Sequence, residues 1–331
     1  MSGGTGLILS SYAAAPALDG WDPEQEAAFL SGAAALPHVS GLEIPLYATG
    51  KLHKYDGDWF LQQVRRLPDH LTYVVTTIPD TMDQLSRSGD FGLASTLAAG
   101  RQAALARVEA AARAVRTLND VLGRKAVRAV HLYSAPCPAG GDREPFTKCG
   151  AGVKALTESL QQLEDYQWDG ARPVLEHCDA ATDLHAPVKG FLRFEQEIEA
   201  VLAAGTNSGV AVNWGRSVIE DRDAGTPVRQ VELGLQEGVL AGVVLSGCSP
   251  KPTAFGGAWD DSHLPPASVE PSSLLTPKHI RSVATVLDET SSSTQPEIYR
   301  GLKVSAPAGS SVAVRVALLA TSIAAVRGAS F

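Results

Sequence analysis

The chain is short of the residues that staple small folds or bind metal in knuckles. It has four cysteines in 331 residues, Cys137, Cys149, Cys178 and Cys248, and no CxxC pair. That spacing excludes a zinc ribbon, whose ligands come in close pairs. So few thiols in so long a chain fit a reducing compartment, and a cytoplasmic location is expected. Positive charge is also scarce: 28 Lys and Arg stand against 36 Asp and Glu, a net charge of −8. A nucleic-acid partner is therefore not expected, because it would need a basic face. No run reaches the ~18 apolar residues of a membrane span. The apolar stretch from Val312 to Val326 is interrupted by Arg315, Thr321 and Ser322 and reads as a closing helix. The first residues, Met1 to Gly6, carry no basic region of the signal-peptide kind. Phosphate loops of Walker type, GxGxxG after a strand, GxSxG elbows and HExxH helices are all missing.

What the chain does have is a repeating order. Hydrophobic residues make up 44% and charged residues 19%, enough apolar material for a sizeable core. Eight short apolar runs recur: Leu7 to Ser10, Leu42 to Pro45, Leu71 to Thr77, Val127 to His131, Pro173 to His177, Val210 to Trp214, Ala241 to Ser246 and Gly301 to Ser305. A helical pattern follows each. Parallel strands need such crossovers, and eight βα units are the number that closes a (β/α)8 TIM barrel. The expectation is one α/β barrel domain over residues 1–331, with long βα loops at about 133–150, 177–189 and 247–275. Cys137 and Cys149 fall in the first of these. Asp22-Pro23-Glu24 is a helix start, with Asp as cap and Pro in the first turn. Asp58 is the expected cap of the helix from Trp59. One long helix, about Ser95 to Leu122, is expected after the third strand.

A barrel of this kind carries its chemistry at the C-terminal strand ends. Those ends nominate Ser10, Glu43, Thr77, His131, Glu176, Asn213, Ser246 and Lys303. Glu176 closes an apolar strand, where an unpaired charge is costly, and suits a general base for a proton alpha to a sugar carbonyl. A structural ion pair inside the barrel is the alternative. Glu43 is a second carboxylate in the same kind of position. His131 is expected to bind a hydroxyl, ligate a metal or carry a proton. Lys303, if inward, needs a counter-charge such as Glu43 or Glu176; otherwise it is an electrophile or Schiff-base nucleophile. Arg216 is placed to fork onto an anionic group and Trp214 to stack on a sugar ring. His53 and His177 complete the candidate substrate contacts, with the alternative that each is a packing or rim residue.

Four segments carry a resemblance: Gly41-Leu-Glu-Ile-Pro45, Val130-His-Leu-Tyr133, Val174-Leu-Glu-His177 and Gly301-Leu-Lys-Val-Ser305. Together they resemble the xylose isomerase-like superfamily of TIM barrels over nearly the whole chain. The resemblance implies an enzyme that isomerises or epimerises a sugar, and in that superfamily usually a divalent metal. Epimerase-type members complete the metal site with Asp, His and Glu on strands six to eight, where this chain has Asn213, Ser246 and Lys303. Glu176 is then the family-matched ligand, for Mn, Mg, Co or Zn. His177, Asp179, Asp260, Asp261 and His263 are further groups able to rebuild such a site. The expected reaction is enediol(ate) proton transfer on a small sugar, with an anionic (sulfo-, phospho- or uronate) substrate suggested by the rim cations. The catalytic set is Glu176, Glu43, His131 and Lys303. A non-catalytic sugar or polyol binder, and a dehydratase or Schiff-base aldolase using Lys303, are the alternatives. A homo-oligomer is within expectation.

Overall fold

A computed structural model of the chain describes residues 6–136, 150–182, 185–290 and 297–331. Cys137, Cys149 and Asp183 lie outside these residues. Eight parallel strands are arranged in sequence order as a closed barrel. They are β1 (Leu7–Ser10), β2 (Val39–Pro45), β3 (Thr72–Thr76), β4 (Val127–Leu132), β5 (Arg172–Glu176), β6 (Gly209–Asn213), β7 (Leu240–Leu245) and β8 (Tyr299–Leu302). The ten helices among the described residues are α1 (Pro23–Ala34), α2 (Gly57–Val64), α3 (Ile78–Arg87), α4 (Ala98–Leu122), α5 (Gly150–Gln162), α6 (Phe194–Ala204), α7 (Trp214–Asp221), α8 (Thr226–Gln236), α9 (Pro277–Thr290) and α10 (Val312–Gly328). None of them is long and apolar enough to cross a membrane.

Two compact units can be distinguished: Met1–Ile44, Gln62–Tyr73 and Val212–Phe331, and Pro45–Leu61 with Val74–Ala211. In the first, β1 pairs with both β2 and β8, and β7 pairs with β8, all parallel. Every residue of β1 and β7 is buried, as strands covered on both faces require. Gly242 faces Tyr299 across the β7–β8 pair, and any Cβ there would meet the tyrosine ring at 2.1 Å. In the second unit, β4 pairs with β5 and β5 with β6.

Local sequence explains most helix starts. Asp22 Oδ1 accepts hydrogen bonds from the amides of Glu24 and Gln25, capping α1 as expected. The cap of α2 is Asp56 rather than Asp58. Its Oδ1 accepts from the amides of Asp58 and Trp59 at 3.1 and 2.9 Å, and Asp58 sits one position into the helix. The single helix expected after β3 is two. Ile78–Arg87 precedes Ala98–Leu122, because Pro79 suits a first turn and Thr77 begins the helix immediately after the strand.

Candidate active site

In the first unit the ends of β1, β2 and β8 present Ser10, Glu43 and Lys303. Ser10 is in register with Glu43 on the neighbouring strand. Lys303 is fully buried, and its Nζ donates to Glu43 Oε1 at 3.2 Å. The same ammonium lies 5.0 Å from the centre of the Tyr12 ring, within reach of a cation–π contact. Lys303 lies just past β8, and its amide donates to Leu245 O at 2.9 Å. The Oγ of Ser10 is buried and has no hydrogen-bond partner among the described residues.

The same unit holds the loop from β7 to α9. Ser246 directly follows β7, and its Oγ lies 2.9 Å from His263 Nδ1. Asp261 reaches His263 Nδ1 with Oδ1 at 3.1 Å and receives the Arg216 Nε hydrogen on Oδ2 at 3.0 Å. Arg216 is placed by the start of α7. Asn213 Oδ1 caps that helix by accepting from the Arg216 amide. Gly215 allows the close approach, since a Cβ there would sit 2.6 Å from Ser246 O. Trp214 is completely buried, and its ring is tilted against His279 with centroids 5.7 Å apart. Burial and the nearby Asp261 push the Cys248 thiol up to about 12.

In the second unit Glu176 and His131 are both buried, with His131 Nδ1 3.5 Å from Glu176 Oε2. Tyr133 donates its phenolic hydrogen to Glu176 Oε2 at 2.6 Å, and Thr76 Oγ1 lies 2.6 Å from the same phenol. Tyr133 and Thr76 were not among the residues nominated from sequence. The signal for Tyr133 was period two: it lies two residues beyond His131 and so leaves the chain on the same side. By the same rule Thr77 turns the other way. Its hydroxyl donates to His131 O at 2.9 Å, serving the backbone. His177, next to Glu176, also turns away. Its Nδ1 lies 2.8 Å from Glu197 Oε2 on α6, and Ser134 Oγ donates to the other oxygen of Glu197 at 2.6 Å. His53 faces the aromatic side chains of its own loop. Its Nδ1 accepts from the amides of Tyr55 and Asp56, its ring stacks on Phe60, and burial pushes its pKa down to about 4.

Glu43 in the first unit and His131 and Glu176 in the second are all buried. The carboxylate of Glu176 and the imidazole of His131 are donors of the kind that suit Mn, Co or Zn. Neither carboxylate faces bulk water, as an acid–base role in a desolvated site requires.

The strand order defines a (β/α)8 barrel. The chain belongs to the family described as Domain of unknown function (DUF4862), whose model matches residues 8–318. It is 32% identical over 287 residues to Uncharacterized protein STM3670 of Salmonella typhimurium strain LT2, covering 86% of each chain. Among solved structures it is similar to a D-psicose 3-epimerase determined in the presence of D-fructose. That match has a TM-score of 0.59 and 13% identity, with 98% of this chain and 99% of that one covered. It is also similar to the 3-keto-D-glucoside 4-epimerase YcjR from E. coli, with a TM-score of 0.58, 11% identity and coverage of 97% and 99%.

Proposed function

We propose that this protein is a sugar isomerase or epimerase that works through an enediol(ate). The observation that carries this reading is the buried Glu176, with His131 Nδ1 3.5 Å away and Tyr133 donating to its Oε2. It sits on a fold that the structurally similar D-psicose 3-epimerase and 3-keto-D-glucoside 4-epimerase share. Glu176 is the base. Tyr133 holds Oε2, and the oriented carboxylate takes the proton from the carbon beside the substrate carbonyl. The hydrogen bond from Tyr133 fixes the carboxylate plane, and Thr76 fixes Tyr133. The Lys303 ammonium, beside Glu43, supplies positive potential where the enediolate oxygen develops charge. His131 or Glu43 returns the proton, to the neighbouring carbon in an isomerisation or to the opposite face of the same carbon in an epimerisation. A divalent metal held by His131 and Glu176 would polarise the substrate carbonyl and hydroxyl oxygens.

The anionic-sugar part of the proposal turns on Arg216. Its partner is now Asp261, so a sulfo-, phospho- or uronate group would have to compete with that carboxylate. A Schiff-base aldolase is less well supported, because an amine paired with Glu43 is held as the ammonium and not as a nucleophile.

The test is solvent exchange. Purified protein is incubated in D2O, with and without Mn2+, with neutral ketoses and with phosphorylated, sulfonated and uronate sugars, and proton NMR follows loss of the alpha C–H signal. A substrate should lose that signal, and Glu176→Gln should slow the loss on the order of 10²–10⁴-fold. Conversion of a sugar without deuterium incorporation would remove the proton-transfer mechanism. Thermal stabilisation by a sugar that is never converted would favour the binder.

A further inference from the structure

His263 is not on a strand. It comes from the loop that follows β7, seventeen residues after Ser246, yet its imidazole rests on Ser246, the first side chain past that strand. Three contacts hold it there. Nδ1 meets Ser246 Oγ at 2.9 Å and Asp261 Oδ1 at 3.1 Å, and the His263 carbonyl accepts from the Ser305 amide at 2.9 Å. The loop is itself anchored at both ends. Gly247 and Leu264 form an antiparallel bridge, and Arg222 lies over the Trp259 ring at 4.1 Å. His263 adopts φ +51°, a left-handed conformation uncommon among non-glycine residues, though histidine takes it more often than most.

The charges fix the tautomer. An ionised carboxylate only accepts hydrogen bonds, so the nitrogen facing Asp261 carries the hydrogen. Arg216 on the other Asp261 oxygen keeps that carboxylate ionised. Nε2 therefore carries the lone pair. It has no hydrogen-bond partner among the described residues, and the side chain keeps 13% of its surface exposed. The charged groups around it are Asp261, Arg216 and Lys303. Burial, with the two cations, holds the imidazole below its ordinary pKa, and Asp261 opposes them. The Cys248 thiol near Asp261 stays protonated. The result is a neutral imidazole, backed by a carboxylate, with a basic nitrogen left open to solvent. That is the arrangement of a general base.

We propose that His263 is an acid–base group of this protein, moving the hydroxyl-borne proton of an α-hydroxycarbonyl substrate through Nε2. This rests on the isomerase form of the proposed function, since an epimerisation turns no hydroxyl into a carbonyl. Nε2 takes the proton from the hydroxyl oxygen that becomes a carbonyl. The imidazolium, stabilised by Asp261, returns it to the carbonyl oxygen that becomes a hydroxyl. The carbon-bound proton travels separately on a carboxylate, so both groups end in their starting protonation states and no co-reactant is consumed.

Two measurements test the assignment. Long-range 1H–15N NMR of the wild-type protein reads the tautomer without any substrate. The expected result is an Nδ1-protonated neutral ring at pH 7 that titrates below 6.5, with Asp261→Asn abolishing the Nδ1–H preference. An Nε2-protonated ring in the wild type overturns the proposal. In the second, His263→Gly is compared with wild type in the D2O exchange assay. Glycine accepts φ +51°, and it leaves space for free imidazole. Exchange should fall on the order of 10²-fold and recover at least tenfold when imidazole is added. Unchanged exchange overturns the proposal, as does a loss that imidazole does not restore in a variant that keeps the wild-type circular dichroism. If the wild type exchanges no sugar, the isomerase or epimerase reading fails, and with it the proton-transfer role, while the NMR result still decides the geometry of His263.

Discussion

Replacing Lys303 with methionine removes one half of a buried ion pair and leaves Glu43 as a carboxylate without that cation. At the observed 3.2 Å separation, Coulomb's law with an effective dielectric of about 20 gives an attraction of about 5 kcal/mol. The observed cost of breaking a buried pair from one side is of the same order, about 3–5 kcal/mol. Glu43→Gln should cost a similar amount, because it leaves the ammonium stranded. The double variant Glu43→Gln/Lys303→Met strands neither charge, so its loss should be far smaller than the sum of the two single losses. The coupling free energy should exceed about 2 kcal/mol, at the upper part of the range for residues in contact. Urea unfolding at pH 7 with EDTA present, followed by circular dichroism, measures all four proteins without interference from bound metal. Additive losses would refute the reasoning, as would a Lys303→Met loss below about 1 kcal/mol. Either would mean that water reaches the pair and that Lys303 is not the desolvated cation invoked for enediolate stabilisation.

Three further predictions follow from other contacts. His53 has a folded pKa of about 4 against an ordinary 6.5. Between those pH values the unfolded chain binds a proton that the folded chain does not. Stability should therefore be fully present above pH 6.5 and fall toward pH 4, by up to about 3 kcal/mol at 1.36 kcal/mol per pH unit. Urea midpoints at pH 4.5 and 7 should show this fall, and His53→Gln should flatten it. Tyr133→Phe removes a donor to an ionised carboxylate, worth about 1.5–3 kcal/mol. It should lower sugar exchange by about 10- to 100-fold, measured in the D2O assay against an unchanged far-UV spectrum. Mn2+ at about 100 times its dissociation constant should stabilise the folded chain by about 2.7 kcal/mol. His131→Ala should abolish that shift in a thermal melt.

The sequence was legible where a residue's position along a strand decides its exposure. The runs ending in Glu43, His131 and Glu176 place those side chains at strand ends, and all three come out buried. The need of Lys303 for a counter-charge could also be foreseen, because an inward ammonium must be paired. That the partner is Glu43 depends on β8 and β2 both flanking β1. The choice between Thr76 and Thr77 was lost because adjacent residues differ only in side-chain direction. One residue of uncertainty in where a strand ends reverses that direction. Asp56 and Asp58 were confused for a related reason: capping depends on which backbone amides lie within reach, and two aspartates two residues apart look alike in sequence.

The amino-acid order by itself determined the alternation of apolar runs with helical patterns, and so the eight-fold parallel architecture. It also fixed which chemical groups would stand at the strand ends. These are local properties, set by periodicity, chain length and the cost of burying a charge. Tertiary structure alone decided which of those groups meet. Lys303 pairs with Glu43 across 260 positions, Tyr133 orients Glu176, and His263 settles on Ser246 with Asp261 and Arg216 behind it. Such contacts depend on how crossovers and loops bring distant segments together, and no local pattern in the chain encodes that geometry.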